Sequence, residues 1–166
     1  MALGGWKMNG IVNTSTGSPA YVAVGFNRSR SLNLTSGGGN PEIPNLKPEA
    51  NNNPVLSDGR SPDRYLDSAS FALQDAGFLG NVGRNTVIGP GIISFDLSFV
   101  KAFHISESRY FEFRSEFFNM FNRSNYNNPN VTVFTSAAGT PSPTFGRINT
   151  NKTTPRQIQL AVKFIF

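Results

Sequence analysis

The chain has 166 residues and a formal net charge of +5, with only 15% charged residues, fifteen Phe, sixteen Gly, eleven Pro and no Cys. Few charges with many aromatics and turn formers exclude a helical bundle, which draws on Ala, Leu, Glu and Lys. The lack of cysteine excludes disulfides, iron–sulfur clusters and thiolate metal sites. No run approaches the roughly 18–20 apolar residues of a transmembrane helix, so any membrane crossing falls to strands. The arginines are dispersed, without the clustering a nucleic-acid footprint requires, and no nucleic-acid partner is expected.

The opening Met-Ala-Leu-Gly-Gly-Trp-Lys shows no charged segment leading into an apolar one, so no signal peptide is visible in it. If the chain is exported, it is expected to be a fragment, from a truncated gene or a partial sequence. The first strand region runs over 6–25. Trp6, Met8, Gly10 and Val12 alternate there with Lys7, Asn9, Ile11 and Asn13. Gly17-Ser-Pro19 interrupts it as a bulge or turn, because Pro cannot donate to a ladder.

Residues 27–90 read as a loop rich in Ser, Asn, Gly and Pro, including Gly37-Gly-Gly39 as plain flexibility, with room for one short helical turn within Tyr65–Leu73. Structureless connections of this length are uncommon in compact soluble domains. Long extracellular loops alternating with short turns are the rule in membrane barrels. The N-x-T matches at Asn33-Leu-Thr35 and Asn130-Val-Thr132 carry little weight. Tyr65, Phe71 and Phe78 could stack on a ligand or pack within the loop, and none is nominated as a site.

Two strands follow, near 92–104 and 109–121. Ile93, Phe95, Leu97 and Phe99 alternate with Ser94, Asp96 and Ser98, and Lys101 lands on the apolar parity, where its stem can snorkel to a membrane interface. After the tight polar turn Ile105-Ser-Glu-Ser108, Phe111, Phe113, Ser115 and Phe117 alternate with Glu112, Arg114 and Glu116. Phe99 and Phe103 on one strand, with Phe117 and Phe121 on the other, suggest girdles at two interfaces. Such spans exceed the roughly 5–6 residues of an ordinary strand and match the roughly 9–11 of a tilted transmembrane one.

Residues 122–155 form a second loop, in which Val131–Phe134 pairs briefly and Phe145-Gly-Arg-Ile148 leads towards the last strand, 156–166. There Ile158, Leu160, Val162, Phe164 and Phe166 share one parity, and Gln157, Gln159, Ala161 and Lys163 the other. Long, short and long connections put the C-terminus on the short-turn side. The fold class is all-β: about four long antiparallel strands of a transmembrane β-barrel with long extracellular loops, residues 1–166 forming one part of it. A soluble β-sandwich that binds carbohydrate or another surface is the alternative, and it needs a second sheet over the apolar face.

No catalytic, cofactor-binding or metal-binding residue is assigned. His104 is the only histidine, and no H-E-x-x-H, G-x-S-x-G or phosphate-binding glycine loop exists. Asp96, Glu112, Arg114 and Glu116 read as lumen-facing charges that neutralise one another, so an enzyme is not expected.

Gly83-Arg-Asn85, Gly89-Pro-Gly91, Phe95-Asp-Leu-Ser-Phe-Val-Lys101, Phe113-Arg-Ser-Glu-Phe-Phe-Asn-Met-Phe-Asn122, Phe145-Gly-Arg-Ile148 and Arg156–Phe166 together resemble the closing segment of TonB-dependent outer-membrane receptors. The nearest type is the Oar-like receptor with a carboxypeptidase-regulatory-like domain. The resemblance covers roughly residues 5–166 and implies the last four strands of a 22-stranded barrel in the bacterial outer membrane. It implies uptake of an iron chelate, cobalamin or glycan, powered by the TonB complex through an N-terminal region absent here. It further implies that Ile158, Leu160, Val162, Phe164 and Phe166 form the signal read by the barrel-assembly machinery. The remaining partners are outer-membrane lipid and a small-molecule or glycan ligand. Signal peptide, plug and about eighteen strands are missing from this sequence, so the chain alone is expected to be inactive. A trimer giving four strands per chain is a physically possible variant.

Overall fold

The computed structural model describes residues 4–31, 42–51 and 53–166. Gly37-Gly-Gly39 and Asn33-Leu-Thr35 lie outside these. The described chain forms strands β1 (Trp6–Ser15), β2 (Pro19–Ala20), β3 (Ala23–Val24), β4 (Asn45–Leu46), β5 (Phe71–Ala72), β6 (Val87–Ile88), β7 (Ile92–His104), β8 (Tyr110–Phe118), β9 (Thr132–Phe134) and β10 (Gln157–Ile165). A 3₁₀ turn, Ser68–Ser70, precedes β5, where the helical turn was expected; the Asp67 carboxylate caps it by accepting from the Ala69 amide at 3.0 Å. No helix among the described residues is long and apolar enough to cross a membrane.

The chain divides into two compact units. One comprises Met1–Thr16, Gly91–Asn125 and Asn151–Phe166, and the other Gly17–Pro90 and Tyr126–Thr150. The first holds the four long strands as one antiparallel sheet in the order β1-β7-β8-β10. Both long connections leave this sheet at the end where Ser15 pairs with Ile92 and Phe118 with Gln157. The short turn after His104 and the C-terminal end of β10 lie at the other, the arrangement expected from counting transits. The fold is thus all-β and antiparallel.

Two strand boundaries differ from the sequence reading. The region placed at 6–25 ends as a strand at Ser15. Gly17 passes so close to the backbone of Gly89 that a Cβ would strike the Gly89 carbonyl, and Pro19 then opens β2 in the other unit. The strand placed at 109–121 ends at Phe118, because Asn119 adopts φ 48° and Asn122 φ 50°. Asn tolerates this left-handed region better than most residues, and it takes the chain out of the ladder.

The stretches 27–90 and 122–155, expected as loops, carry little regular structure but do pack. The described parts of 27–90 and 126–150, with Gly17–Phe26, form the second unit around a continuous apolar core, while 122–125 and 151–155 stay with the first. Val22, Val87 and Val133 are fully buried, with Phe134 and Leu66 nearly so. Phe71 and Phe145 meet edge to face at 5.7 Å, the preferred geometry of an aromatic pair. β3 runs parallel to β9, so residues far apart in sequence share a ladder. Phe145 and Ile148, expected to lead into the last strand, belong to this core instead. Their turn uses Gly146 at φ 74°, packed against Leu66. Of the three loop aromatics, Tyr65 and Phe71 are buried and Phe78 is exposed.

The second unit buries one carboxylate, Glu42. It accepts from the Ser29 amide (3.2 Å), the Ser29 hydroxyl, the Ser31 hydroxyl (3.1 Å) and Gln74 Nε2 (3.1 Å). Four donors fill a carboxylate's capacity, which makes its burial tolerable. Tyr65 donates to the Ile88 carbonyl at 3.1 Å, and Arg60 lies over its ring at 5.4 Å. Burial pushes the Tyr65 phenol above its ordinary value, and the nearby Arg60 charge opposes this.

Truncating Phe134 to Ala should destabilise the second unit by about 3–5 kcal/mol. Limited proteolysis of the variant is expected to cut within 17–90 and 126–150 while the long strands stay protected. Because the folded chain holds the Tyr65 proton more tightly than the unfolded chain, its contribution is intact below the ordinary tyrosine pKa. It is lost as pH rises through the higher folded value. Alkaline unfolding followed by phenolate absorbance should lose that component in Tyr65→Phe.

Candidate functional site

The four-stranded sheet carries the chemistry, and cross-strand register decides which side chains share a face, since directly opposite residues in an antiparallel pair project the same way. One row reads Trp6, Lys101, Phe113 and Val162; the next, Met8, Phe99, Ser115 and Leu160; the next, Gly10, Leu97, Phe117 and Ile158. Phe103, Phe111 and Phe164 align at the short-turn end. Four separate alternations in the sequence thus merge into one apolar face. Trp6, Met8, Val12, Leu160 and Val162 are all exposed on it. Monomeric soluble proteins rarely leave so extended an apolar surface open, and a sandwich would have covered it with a second sheet.

Aromatic pairs tile this face. Phe111 meets Phe164 at a tilt at 4.7 Å, and Phe164 stacks on Phe166 at 5.7 Å. At the opposite end Phe95 meets Phe121 at 5.5 Å. Phe99 and Phe117, expected to mark two interfaces, instead touch each other edge to face near mid-sheet at 6.3 Å. The end bands are therefore Phe103, Phe111 and Phe164 at one edge and Phe95 and Phe121 at the other. The Phe95 ring also leans over Gly10, reaching 3.5 Å from where a Cβ would stand, and covers that gap in the wall.

Lys101 departs from the snorkelling expectation. It is only 3% exposed, and its ammonium donates to the Gly4 carbonyl. The rings of Trp6 and Phe103 lie 5.2 and 5.5 Å from it. A cation on an apolar face is thereby held by a carbonyl and two π-faces.

The opposite face is polar. Asn9, Ser98, Glu116 and Gln159 form one row, and Lys7, Val100, Arg114 and Ala161 the next. Arg114 reaches Glu112 at 3.2 Å and Glu116 at 3.8 Å along its own strand, and Glu112 also stands directly opposite Lys163. Half-exposed pairs of this kind contribute at most about 1 kcal/mol each, so they balance charge more than they stabilise. Asp96 lies on this same face opposite Ile11 but is engaged elsewhere, accepting from the Asn119 amide at 2.8 Å. His104 packs its ring against Tyr110 at 5.0 Å. No cluster of three His, Cys, Asp or Glu side chains suited to a metal exists among the described residues.

Of the terminal-strand residues, Ile158, Leu160, Val162 and Phe164 pair with Phe117, Ser115, Phe113 and Phe111 of β8. Phe166 lies beyond the last pair and is 91% exposed.

Sequence reasoning missed a knot of asparagines where the long connections leave. Asn119 Oδ1 accepts from the Arg123 amide (3.0 Å), and its Nδ2 donates to the Arg123 and Thr154 carbonyls (3.0 and 3.1 Å). Asn122 Oδ1 accepts from the Arg156 amide (3.0 Å). Asn125 Oδ1 accepts from the Ile93 amide (2.9 Å) while its Nδ2 donates to Thr153 (3.1 Å). Met120 adds a backbone bond to the Phe95 carbonyl at 2.8 Å. These bonds tie the ends of β7, β8 and β10 together and satisfy backbone groups that the ladder no longer reaches. The signal was present as Asn at every third position from 119 to 125.

Asn125→Ala removes partners from the Ile93 amide and Thr153, at about 1–3 kcal/mol for groups left unsatisfied. Hydrogen exchange at Ile93 is expected to quicken markedly, with the amides around Leu97–Phe103 unchanged.

The chain matches the outer membrane beta barrel domain family over residues 1–159. No curated protein and no solved structure matches it.

Proposed function

We propose a function from one premise: the chain belongs to the outer membrane beta barrel domain family. Its place is the outer membrane, and its sheet is a section of barrel wall that is not closed. Among the described residues β1 and β10 each have a hydrogen-bonded neighbour on one side only. In hydrocarbon an unpaired strand edge costs several kcal/mol per group, and bacterial barrels have at least about eight strands. Further strands must therefore complete the wall. In the proposed arrangement the apolar face meets lipid, and the polar face, with Glu112, Arg114 and Glu116, lines the lumen.

The finer reading is that of a TonB-dependent receptor: a transporter rather than an enzyme, of which this chain forms the closing strands. The resemblance of the ordered motifs from Gly83 to Phe166 supports it. So does the direction of the connections, long ones at one end and a five-residue turn, Ile105–Arg109, at the other. Uptake of an iron chelate, cobalamin or glycan would draw energy from an inner-membrane complex through an N-terminal region. The barrel-assembly machinery would read Ile158, Leu160, Val162, Phe164 and Phe166. The observation that carries the proposal is the register that sets Ile158, Val162 and Phe164 opposite Phe117, Phe113 and Phe111 of β8, with Leu160 opposite Ser115 between them.

Two measurements check it. Deleting Phe166, or changing Phe164 to Ser, should lower the amount of protein assembled in the outer membrane several-fold without altering synthesis, read by membrane fractionation. For transport, uptake of labelled iron chelates, cobalamin and oligosaccharides should fall on deleting the gene. It should fall equally on disabling the inner-membrane energy complex. Uptake indifferent to the energy complex would sink the receptor reading and leave the barrel reading standing.

A further inference from the structure

Four rows of the apolar face are filled unevenly. In the row Met8, Phe99, Ser115 and Leu160, Ser115 has by far the shortest side chain, and it stands between Phe113 and Phe117 on its own strand. The result is a hollow of about 500 Å³ lined by Trp6, Lys7, Met8, Phe99, Phe113, Ser115 and Phe117. Its volume falls in the range of small-molecule sites, roughly 300–1,000 Å³. Its lining is unlike that of a polar ligand's site. Apart from one hydroxyl and Lys7, whose position in β1 shares the parity of the polar face, its lining is mainly apolar: one indole, one thioether and three phenyl rings.

We propose that this hollow seats one acyl chain of a bilayer lipid. The inference rests on the apolar face being the lipid-facing one. Two observations point to hydrocarbon. The hollow is continuous with an apolar face that extends across four strands, in a chain whose family belongs to the outer membrane. Two of its walls brace each other: the Phe99 and Phe117 rings meet edge to face at 84°, a favoured aromatic geometry. A void against such walls forfeits dispersion contacts, which a flexible chain restores without hydrogen bonds. The Ser115 hydroxyl at the floor can turn back to its own strand's backbone and makes no demand on the occupant. Ser115 is thus the residue that shapes the seat, and Phe113 and Phe117 are its walls.

The test uses outer membranes carrying the full chain and supplied with a phospholipid bearing a diazirine in its acyl chain. After irradiation, adducts are mapped by mass spectrometry to the hollow (Trp6–Met8 and Phe113–Phe117) and to β10 (Ile158–Phe164), an exposed apolar strand that serves as reference. The hollow should collect several-fold more adduct than β10. Ser115→Phe, which fills it, should bring the two level, and Ser115→Ala should behave as the unaltered chain. Even labelling of both regions, or a hollow indifferent to Ser115→Phe in a variant that still assembles, overturns the seat and leaves the lipid-facing assignment intact. A labelled β10 with an unlabelled hollow also overturns it, in favour of a protein cover. If neither region is labelled, the lipid-facing assignment itself fails, and the seat with it.

Discussion

Register across β1, β7, β8 and β10 is the constraint on which the rest of this chain depends. Side chains alternate with period two, so a slip of one position in any strand would carry its apolar set to the polar face. Here Trp6, Phe99, Phe113 and Val162 lie on one side and Asn9, Asp96, Arg114 and Gln159 on the other, with no strand out of phase. In a bilayer this phase is enforced from both sides: a misplaced Arg or Glu would enter hydrocarbon at a cost of a few kcal/mol, and displaced phenyl rings would line water. The five-residue turn between β7 and β8 contributes by limiting how far those two strands can slide.

The same constraint explains the asparagine knot. A ladder must stop somewhere, and each strand end leaves amides and carbonyls without partners. Asn119, Asn122 and Asn125 meet them with side chains, and two of these residues bend the chain through left-handed conformations that few other residues accept. Asp96 takes part from the polar face, its carboxylate accepting from the Asn119 amide at the end of β8. Lys101 follows a parallel logic on the apolar face, where aromatic rings and a carbonyl replace water around its ammonium.

What was legible in the sequence was whatever repeats locally. Four alternating runs were visible, because each residue's face follows from its neighbours two positions away, whereas the points at which the ladders stop, after Ser15 and Phe118, were not. The second unit was not legible. Its core joins Val22 to Val133 and Phe71 to Phe145, partners with no common period. A stretch of Ser, Asn, Gly and Pro with apolar residues at irregular intervals looks the same whether it packs or not.

By itself, the sequence determined the class: all-β, with long strands bearing one apolar face and an aromatic C-terminal strand, since alternation and composition are properties of the chain read locally. Only the tertiary structure decided that the four apolar faces coincide, that Ser115 opens a hollow between Phe113 and Phe117, that Lys101 is caged, and that two supposed loops share one core. Each of these depends on which residue stands opposite which across strands or across long separations. Pairing of that kind is set by hydrogen-bonded register and packing in space, and no local pattern encodes it.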